Sequence, residues 1–152
     1  APIEPILVLS VSLLVVTGLA LAWRHTAIHG DTYRQVQTLT GVYLAAFIVS
    51  HLTAIIVLAR WLSHVHTNDW SYVSYAPVGM LRDPWGLRLI PHYAMAVWAV
   101  LTHVGLGMRG VLRAHGVAER LTDTLAKGMS ALGAAFSIVI MLAVNGLHLG
   151  VS

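Results

Sequence analysis

Four long stretches without a charged residue constrain this chain more than any other feature of its sequence. They cover residues 5–23, 35–59, 89–108 and 128–152. A helix needs about 20 apolar residues to cross the hydrocarbon core of a bilayer. Helices are favoured over strands because the backbone must satisfy its own hydrogen bonds in lipid and no alternating strand pattern is present. We therefore predict a single-domain, all-α membrane protein, an up-and-down bundle of four transmembrane helices. The spans are predicted at about 5–23, 36–60, 88–112 and 128–150.

The composition agrees with this membrane fold. Hydrophobic residues make up 57% of the chain and charged residues 10%, whereas soluble domains carry roughly 25% charged residues. The first span follows Glu4 rather than a basic segment, and no small-residue cleavage pattern closes it. We therefore expect it to be a retained helix and not a signal peptide.

The basic residues predict the orientation of the bundle. Those at one end are Arg24, Arg34, Arg109, Arg113, Arg120 and Lys127, and those at the other end are Arg60, Arg82 and Arg88. Because excess Lys and Arg mark the cytoplasmic side, we expect both termini on the non-cytoplasmic side of a bacterial inner membrane. The pI of about 9.7 then reflects membrane orientation and contact with lipid. No nucleic-acid binding is predicted, since no basic run is interleaved with aromatic residues.

The segment between the second and third spans is rich in aromatic residues, with Trp70, Tyr72, Tyr75 and Trp85 around prolines and glycines. Amphipathic aromatic rings settle at the headgroup level of a membrane. We expect this outer loop to lie flat over the bundle as a lid or a short interfacial helix.

The absence of cysteine narrows the chemistry that the chain can support. It excludes disulfides, covalent attachment of c-type haem, and an iron–sulfur cluster held by this chain alone. A redox centre would need non-covalent ligands, and the nine histidines are the abundant candidates.

Two histidines, His51 and His103, fall deep inside the second and third spans. Ionisable groups inside a membrane are costly and usually functional, although an interhelical hydrogen bond from a structural histidine is the alternative. Imidazole is a common axial ligand of haem iron, so the two are predicted as axial ligands of a b-type haem. Their depths differ by several ångströms at about 1.5 Å per residue. A histidine from another subunit is therefore an alternative partner for His103.

A stripe of small residues flanks His103 on the third span, formed by Ala96, Ala99, Gly107, Gly110 and Ala114. Such a stripe leaves room for a porphyrin beside the histidine, or it serves close packing of helices without any cofactor.

Two arginines beyond that stripe are predicted to meet the haem propionates. Arg109 lies six residues from His103 toward the basic side, and Arg113 lies one turn further. Each is alternatively an anchor at the cytoplasmic surface.

His92 and His148 form a second candidate constellation, near the outer ends of their helices. The predicted role is a second haem or a quinone pocket, and the alternative is hydrogen bonding at the membrane interface. The other histidines are predicted to lie at the surface. They are His25, His29, His64, His66 and His115.

The third span also carries a family pattern. Residues 103–110 read HVGLGMRG and resemble the His-x-x-x-Gly-x-Arg-His motif of the cytochrome b membrane-anchor subunits of succinate dehydrogenases and fumarate reductases. The final histidine of that motif is replaced by Gly110. The family's earlier motif, Ser-x-x-His-Arg-x-Thr-Gly, falls on residues 34–41, which read RQVQTLTG and keep only the Thr-Gly tail.

The resemblance implies a function as well as a fold. It implies that His103 ligates haem b and that the chain anchors peripheral dehydrogenase or reductase subunits, beside another membrane subunit. Electrons would pass to or from the quinone pool, and the chain itself would be a non-catalytic electron-transfer subunit. The missing His-Arg pair leaves a second hypothesis, a non-redox structural membrane subunit whose family haem site has decayed. A proton or metal transporter is a third, disfavoured because the spans hold no carboxylate.

Overall fold

A computed structural model describes residues 3–24, 31–64, 70–75 and 78–145 of the chain. All regular structure within these ranges is helical. The helices are α1 (Ile3–Arg24), α2 (Thr32–Leu52), a π-helical continuation of α2 (Thr53–Leu62), α3 (Trp70–Ser74), α4 (Pro84–Ala114) and α5 (Glu119–Val144).

Four of these helices are long and apolar enough to cross a membrane. They contain 22, 31, 31 and 26 residues, counting α2 together with its continuation. At about 1.5 Å per residue, even the shortest measures about 33 Å, which exceeds the roughly 30 Å hydrocarbon core of a bilayer. The predicted all-α fold with four membrane-spanning helices is confirmed, and the chain is an integral membrane protein.

The helices extend beyond the charge-free runs. α5 begins at Glu119, nine residues before the predicted start of the fourth span, and it is described as far as Val144. Charged residues in the first turns do not interrupt backbone hydrogen bonding, so a helix continues past the hydrocarbon boundary into the headgroup region. A charge-free run therefore marks the membrane core rather than the ends of the helix.

Side-chain caps fix the starts of α2 and α4. The carboxylate of Asp31 accepts a hydrogen bond from the backbone N–H of Arg34 at 2.9 Å. Asp83 accepts from the backbone of Trp85 at 2.9 Å and of Gly86 at 2.7 Å. Both caps satisfy backbone donors that have no partner within the first turn of a helix.

α4 is the central helix and packs against both α2 and α5. Glycines allow close contact with α5: a Cβ added to Gly105 would lie 2.6 Å from the Cβ of Met129, and one added to Gly133 would lie 3.0 Å from the carbonyl oxygen of Trp98. Small residues at a helix interface bring backbones together in membranes. α4 and α5 therefore form the tightest pair of the bundle.

α1 lies at the periphery of the bundle. None of its residues is buried, and it packs on α2. An ion pair between Glu4 and Arg60 joins the start of α1 to the end of the α2 continuation. The aromatic outer segment contains the five-residue α3, in which Trp70 and Tyr72 are exposed. Its place at the membrane interface stays a prediction.

Candidate functional site

The imidazole of His103 lies in the contact between α4 and α2. Its Nδ1 is 2.9 Å from the main-chain carbonyl oxygen of Gln37. A carbonyl can only accept, so Nδ1 must carry the proton, and in the neutral ring Nε2 then holds the lone pair. Within the described part of the chain, Nε2 makes no hydrogen bond. Histidines that bind metals usually have this arrangement, with one ring nitrogen donating to a carbonyl and the other free to ligate.

Gly41 makes this close approach of the two helices feasible. A Cβ at this position would lie 2.7 Å from Cε1 of His103 and 3.2 Å from its Nδ1. Any side chain here would displace the imidazole from the carbonyl of Gln37. The buried hydroxyl oxygen of Thr40 lies 3.4 Å from the same Nδ1. One turn of α2 thus surrounds one nitrogen of His103.

The small-residue stripe of α4 divides into two parts. Ala96 and Ala99 are buried within the bundle. Toward the arginine-rich end, a Cβ on Gly107 would meet only the side-chain nitrogen of Gln37 at 3.4 Å, and one on Gly110 would meet nothing within 4 Å. Ala96 and Ala99 therefore serve packing, and Gly110 borders open space.

This open space is a cleft of about 460 Å³ between the first turn of α2 and the last turns of α4. Three arginines and one aspartate contribute to its walls. The lining residues are Asp31, Tyr33, Arg34, Gln37, Leu106, Arg109, Gly110 and Arg113. The guanidinium of Arg34 has no ion-pair partner among the described residues, so the cleft is open to an anionic group.

Arg109 joins three helices. Its Nε lies 2.6 Å from Asp123 of α5, and its terminal nitrogens lie 3.5 Å from Asp31 and 3.8 Å from Glu119. Its guanidinium also lies 3.8 Å from the ring centre of Tyr33. Only 8% of the side chain is exposed. The guanidinium is therefore already compensated by carboxylates of the chain itself, and the predicted propionate contact of Arg109 stays a prediction.

Arg113 is the more accessible of the two predicted propionate contacts. It pairs with Glu119 at 3.0 Å, and 37% of its side chain is exposed at the rim of the cleft.

His51 occupies a separate aromatic environment. Its ring stacks on Phe47 with centroids 5.4 Å apart and meets the ring of Tyr93 edge-on at 5.9 Å. His103 contacts Gly41, ten residues before His51, and Tyr93 lies ten residues before His103. Both intervals place the two histidines about 15 Å apart along the helix axes. The structure does not bring His51 and His103 to opposite sides of one cofactor.

The second predicted constellation is only partly described. His92 is exposed, and its carbonyl oxygen accepts a hydrogen bond from the hydroxyl of Tyr43 at 2.9 Å. His148 lies outside the described residues, as do His25, His29 and His66. His64 and His115 are exposed, as predicted for surface histidines. Across the residues that the structure describes, no group of three or more His, Cys, Asp and Glu could hold a metal ion.

Two residues that shape this region could not be predicted from the sequence. Asp123 lies ahead of the last charge-free run and reads as an ordinary headgroup carboxylate, yet it is the nearest partner of Arg109. Gln37 contributes to the site through its main-chain carbonyl, which no side-chain pattern can reveal. The one sequence signal for this turn of α2 was Thr40-Gly41, which matches the Thr-Gly tail of the family motif.

Comparisons of the chain with protein-family models, with curated proteins and with solved structures find no match. The resemblance at residues 103–110 therefore stays a prediction.

Proposed function

We propose that this protein is a membrane b-type cytochrome subunit in which His103 is an axial ligand of haem b. The observation that carries the proposal is the imidazole of His103, which donates from Nδ1 to the carbonyl of Gln37 and whose Nε2 has no hydrogen bond to any described residue. A neutral imidazole held in this way has the donor chemistry that haem iron takes. Haem b, when bound, supplies reversible one-electron transfer.

The surroundings of His103 also suit this cofactor. Gly107 and Gly110 leave space on the same stripe of α4, and the cleft beyond them presents Arg34 and Arg113. Haem is apolar over most of its surface and carries two carboxylates. Apolar helices that carry a cationic cleft at one end match that distribution of charge.

The second axial ligand in this proposal comes from another chain. His51 lies about 15 Å from His103 along the helix axes, too far for both to ligate one iron. A second haem or a quinone near His92 and His148 belongs to the proposal as well, at the outer end of the bundle. This second site is proposed only because the sequence places His92 and His148 near the outer ends of their helices.

The proposed physiological role is that of an anchor. Six of nine basic residues lie at the end of the bundle that holds the cleft, which we assign to the cytoplasmic side of a bacterial inner membrane, with both termini on the opposite side. A peripheral dehydrogenase or reductase would bind at this face, with a further membrane subunit beside it. The chain would pass electrons between that partner and membrane quinone.

The test is a reduced-minus-oxidised spectrum of the protein purified together with its membrane partners, with haem and iron content per chain. We expect a b-type α-band that His103→Ala abolishes. His115→Ala is the matched control, since His115 is exposed and its Nδ1 lies 2.8 Å from the carbonyl oxygen of Val111 in its own helix. His51→Ala should keep the band, because another chain supplies the second ligand. A wild-type protein without haem, or a band insensitive to His103→Ala, would refute the proposal.

A second candidate function is a structural membrane subunit without a redox centre. Two observations favour this hypothesis. The Nδ1 of His103 is hydrogen-bonded to the carbonyl of Gln37, and the charge of Arg109 is neutralised by carboxylates of the chain, so neither group needs a cofactor as its partner. This hypothesis predicts that His103→Ala weakens assembly with the partner subunits while no iron co-purifies with either protein. The iron measurement therefore separates the two functions.

A further inference from the structure

Three neighbouring residues of α2 surround Nδ1 of His103. The carbonyl oxygen of Gln37 lies at 2.9 Å and the hydroxyl oxygen of Thr40 at 3.4 Å, while Gly41 leaves the space that the imidazole fills. All three belong to a single helical turn, at positions i, i+3 and i+4. Such positions lie on one face of a helix.

The proton of the Thr40 hydroxyl can be placed from its distances. The hydroxyl oxygen lies 2.8 Å from the carbonyl of Val36 and 3.0 Å from that of Gln37. A hydroxyl has one proton and two lone pairs, and the shorter contact takes the proton. The lone pairs of Thr40 then remain available to accept. The Nδ1–H of His103 therefore has a main acceptor in Gln37 and a secondary, longer one in Thr40.

We infer that Thr40 is a positioning residue for His103, which acts with the carbonyl of Gln37 to hold the imidazole as its Nδ1–H tautomer. Both acceptors disfavour the alternative tautomer, in which Nδ1 would itself be an acceptor facing two oxygens. They also draw the Nδ1 proton away from the ring and raise the electron density at Nε2, which strengthens it as a ligand. The effect on a bound haem rests on the proposed function, whereas the choice of tautomer does not.

The experiment compares Thr40→Val with Thr40→Ser in the purified haem-loaded protein. Valine keeps the shape of threonine and removes the acceptor, and serine keeps the acceptor. We expect Thr40→Val to accelerate haem dissociation about tenfold, which is the lower end of the effect of such outer partners on metal affinity. We also expect a higher midpoint potential, because a less electron-rich imidazole stabilises ferric iron less. Thr40→Ser should restore both values.

Thr53→Val is the matched control. Thr53 lies in the π-helical continuation of α2 and donates to the carbonyl of Val49 at 2.8 Å, without contact to His103. It undergoes the same chemical change and should leave haem dissociation and midpoint potential unaltered. If Thr40→Val and Thr53→Val behave alike, the positioning role of Thr40 is wrong even though haem is present.

A measurement without haem keeps the inference separate from the proposed function. Nitrogen-15 NMR of histidine-labelled apoprotein reports the tautomer of each ring, and the His103 signal is assigned by its loss in His103→Gln. We expect the Nδ1–H tautomer in the wild type and in Thr40→Ser, and a mixture of tautomers in Thr40→Val. A wild-type protein that binds no haem would refute the proposed cytochrome function and leave the inference about Thr40 standing. A mixture already present in the wild type, or no change in Thr40→Val, would overturn the inference.

Discussion

At the scale of single residues, the lack of a side chain at Gly41 determines what His103 can contact. A Cβ added at Gly41 would lie 2.7 Å from Cε1 of the imidazole, well inside the roughly 3.5–4.0 Å at which non-bonded carbon atoms pack. We expect Gly41→Ala to push the ring away from the carbonyl of Gln37, at a cost of about 1–3 kcal/mol in stability, as for overpacked interiors. The b-type band should weaken in the same variant, measured per mole of folded protein.

The control for that substitution is Gly128→Ala in α5. A Cβ at Gly128 would meet nothing within 4 Å, and alanine forms helices more readily than glycine. This variant should therefore keep the spectrum of the wild type, with a thermal stability equal to or slightly above it. Equal behaviour of the two alanine variants in both measurements would show that Gly41 is not needed for the approach of His103.

At the scale of elements, the ion pairs of Arg109 with Asp31, Glu119 and Asp123 connect the ends of α2, α4 and α5. We expect Asp123→Asn to lower the thermal stability of the detergent-solubilised protein. The guanidinium of Arg109 would lose its nearest anion, and because only 8% of the Arg109 side chain is exposed, water cannot replace that anion fully. The loss should persist at high salt, since buried pairs are screened far less than exposed ones. Thermal unfolding at low and high salt measures both effects.

Glu119→Gln provides the comparison within the same network. Glu119 lies 3.8 Å from Arg109, and 63% of its side chain is exposed. Exposed ion pairs contribute little to stability, and salt weakens them further. The Glu119 variant should therefore differ only slightly from the wild type, and not at all at high salt. A larger loss in Glu119→Gln than in Asp123→Asn would contradict the central place of Asp123.

The helices themselves could be predicted from the sequence, and their contacts could not. Charge-free runs identify each span because transfer into lipid depends on local composition. The pairing of His51 with His103 depended instead on the axial register between α2 and α4, which is set by where Gly41 admits the imidazole. Depths estimated from charge boundaries placed the two histidines several ångströms apart, whereas the contacts of the helices separate them by about 15 Å along the helix axes. The role of the Gln37 carbonyl was equally hidden, because every residue has a carbonyl.

At the scale of the whole molecule, the orientation in the membrane follows from the distribution of arginine and lysine. Because the chain contains no cysteine, one substitution introduces a single thiol. Ala118→Cys lies in the exposed turn between α4 and α5, and Ser63→Cys lies just after the π-helical continuation of α2. A membrane-impermeant maleimide should label Ala118→Cys only in inverted vesicles and Ser63→Cys only in intact spheroplasts.

The two positions flank α4 and therefore test two features separately. A four-span bundle places them on opposite sides of the membrane in either orientation, so labelling of both from one side would contradict the spans themselves. Labelling from opposite sides but in the reverse sense would keep the bundle and place the arginine cleft outside the cytoplasm. In that case no cytoplasmic partner could dock over Arg34 and Arg113, and the proposed anchoring role would fail while the histidine site remained intact.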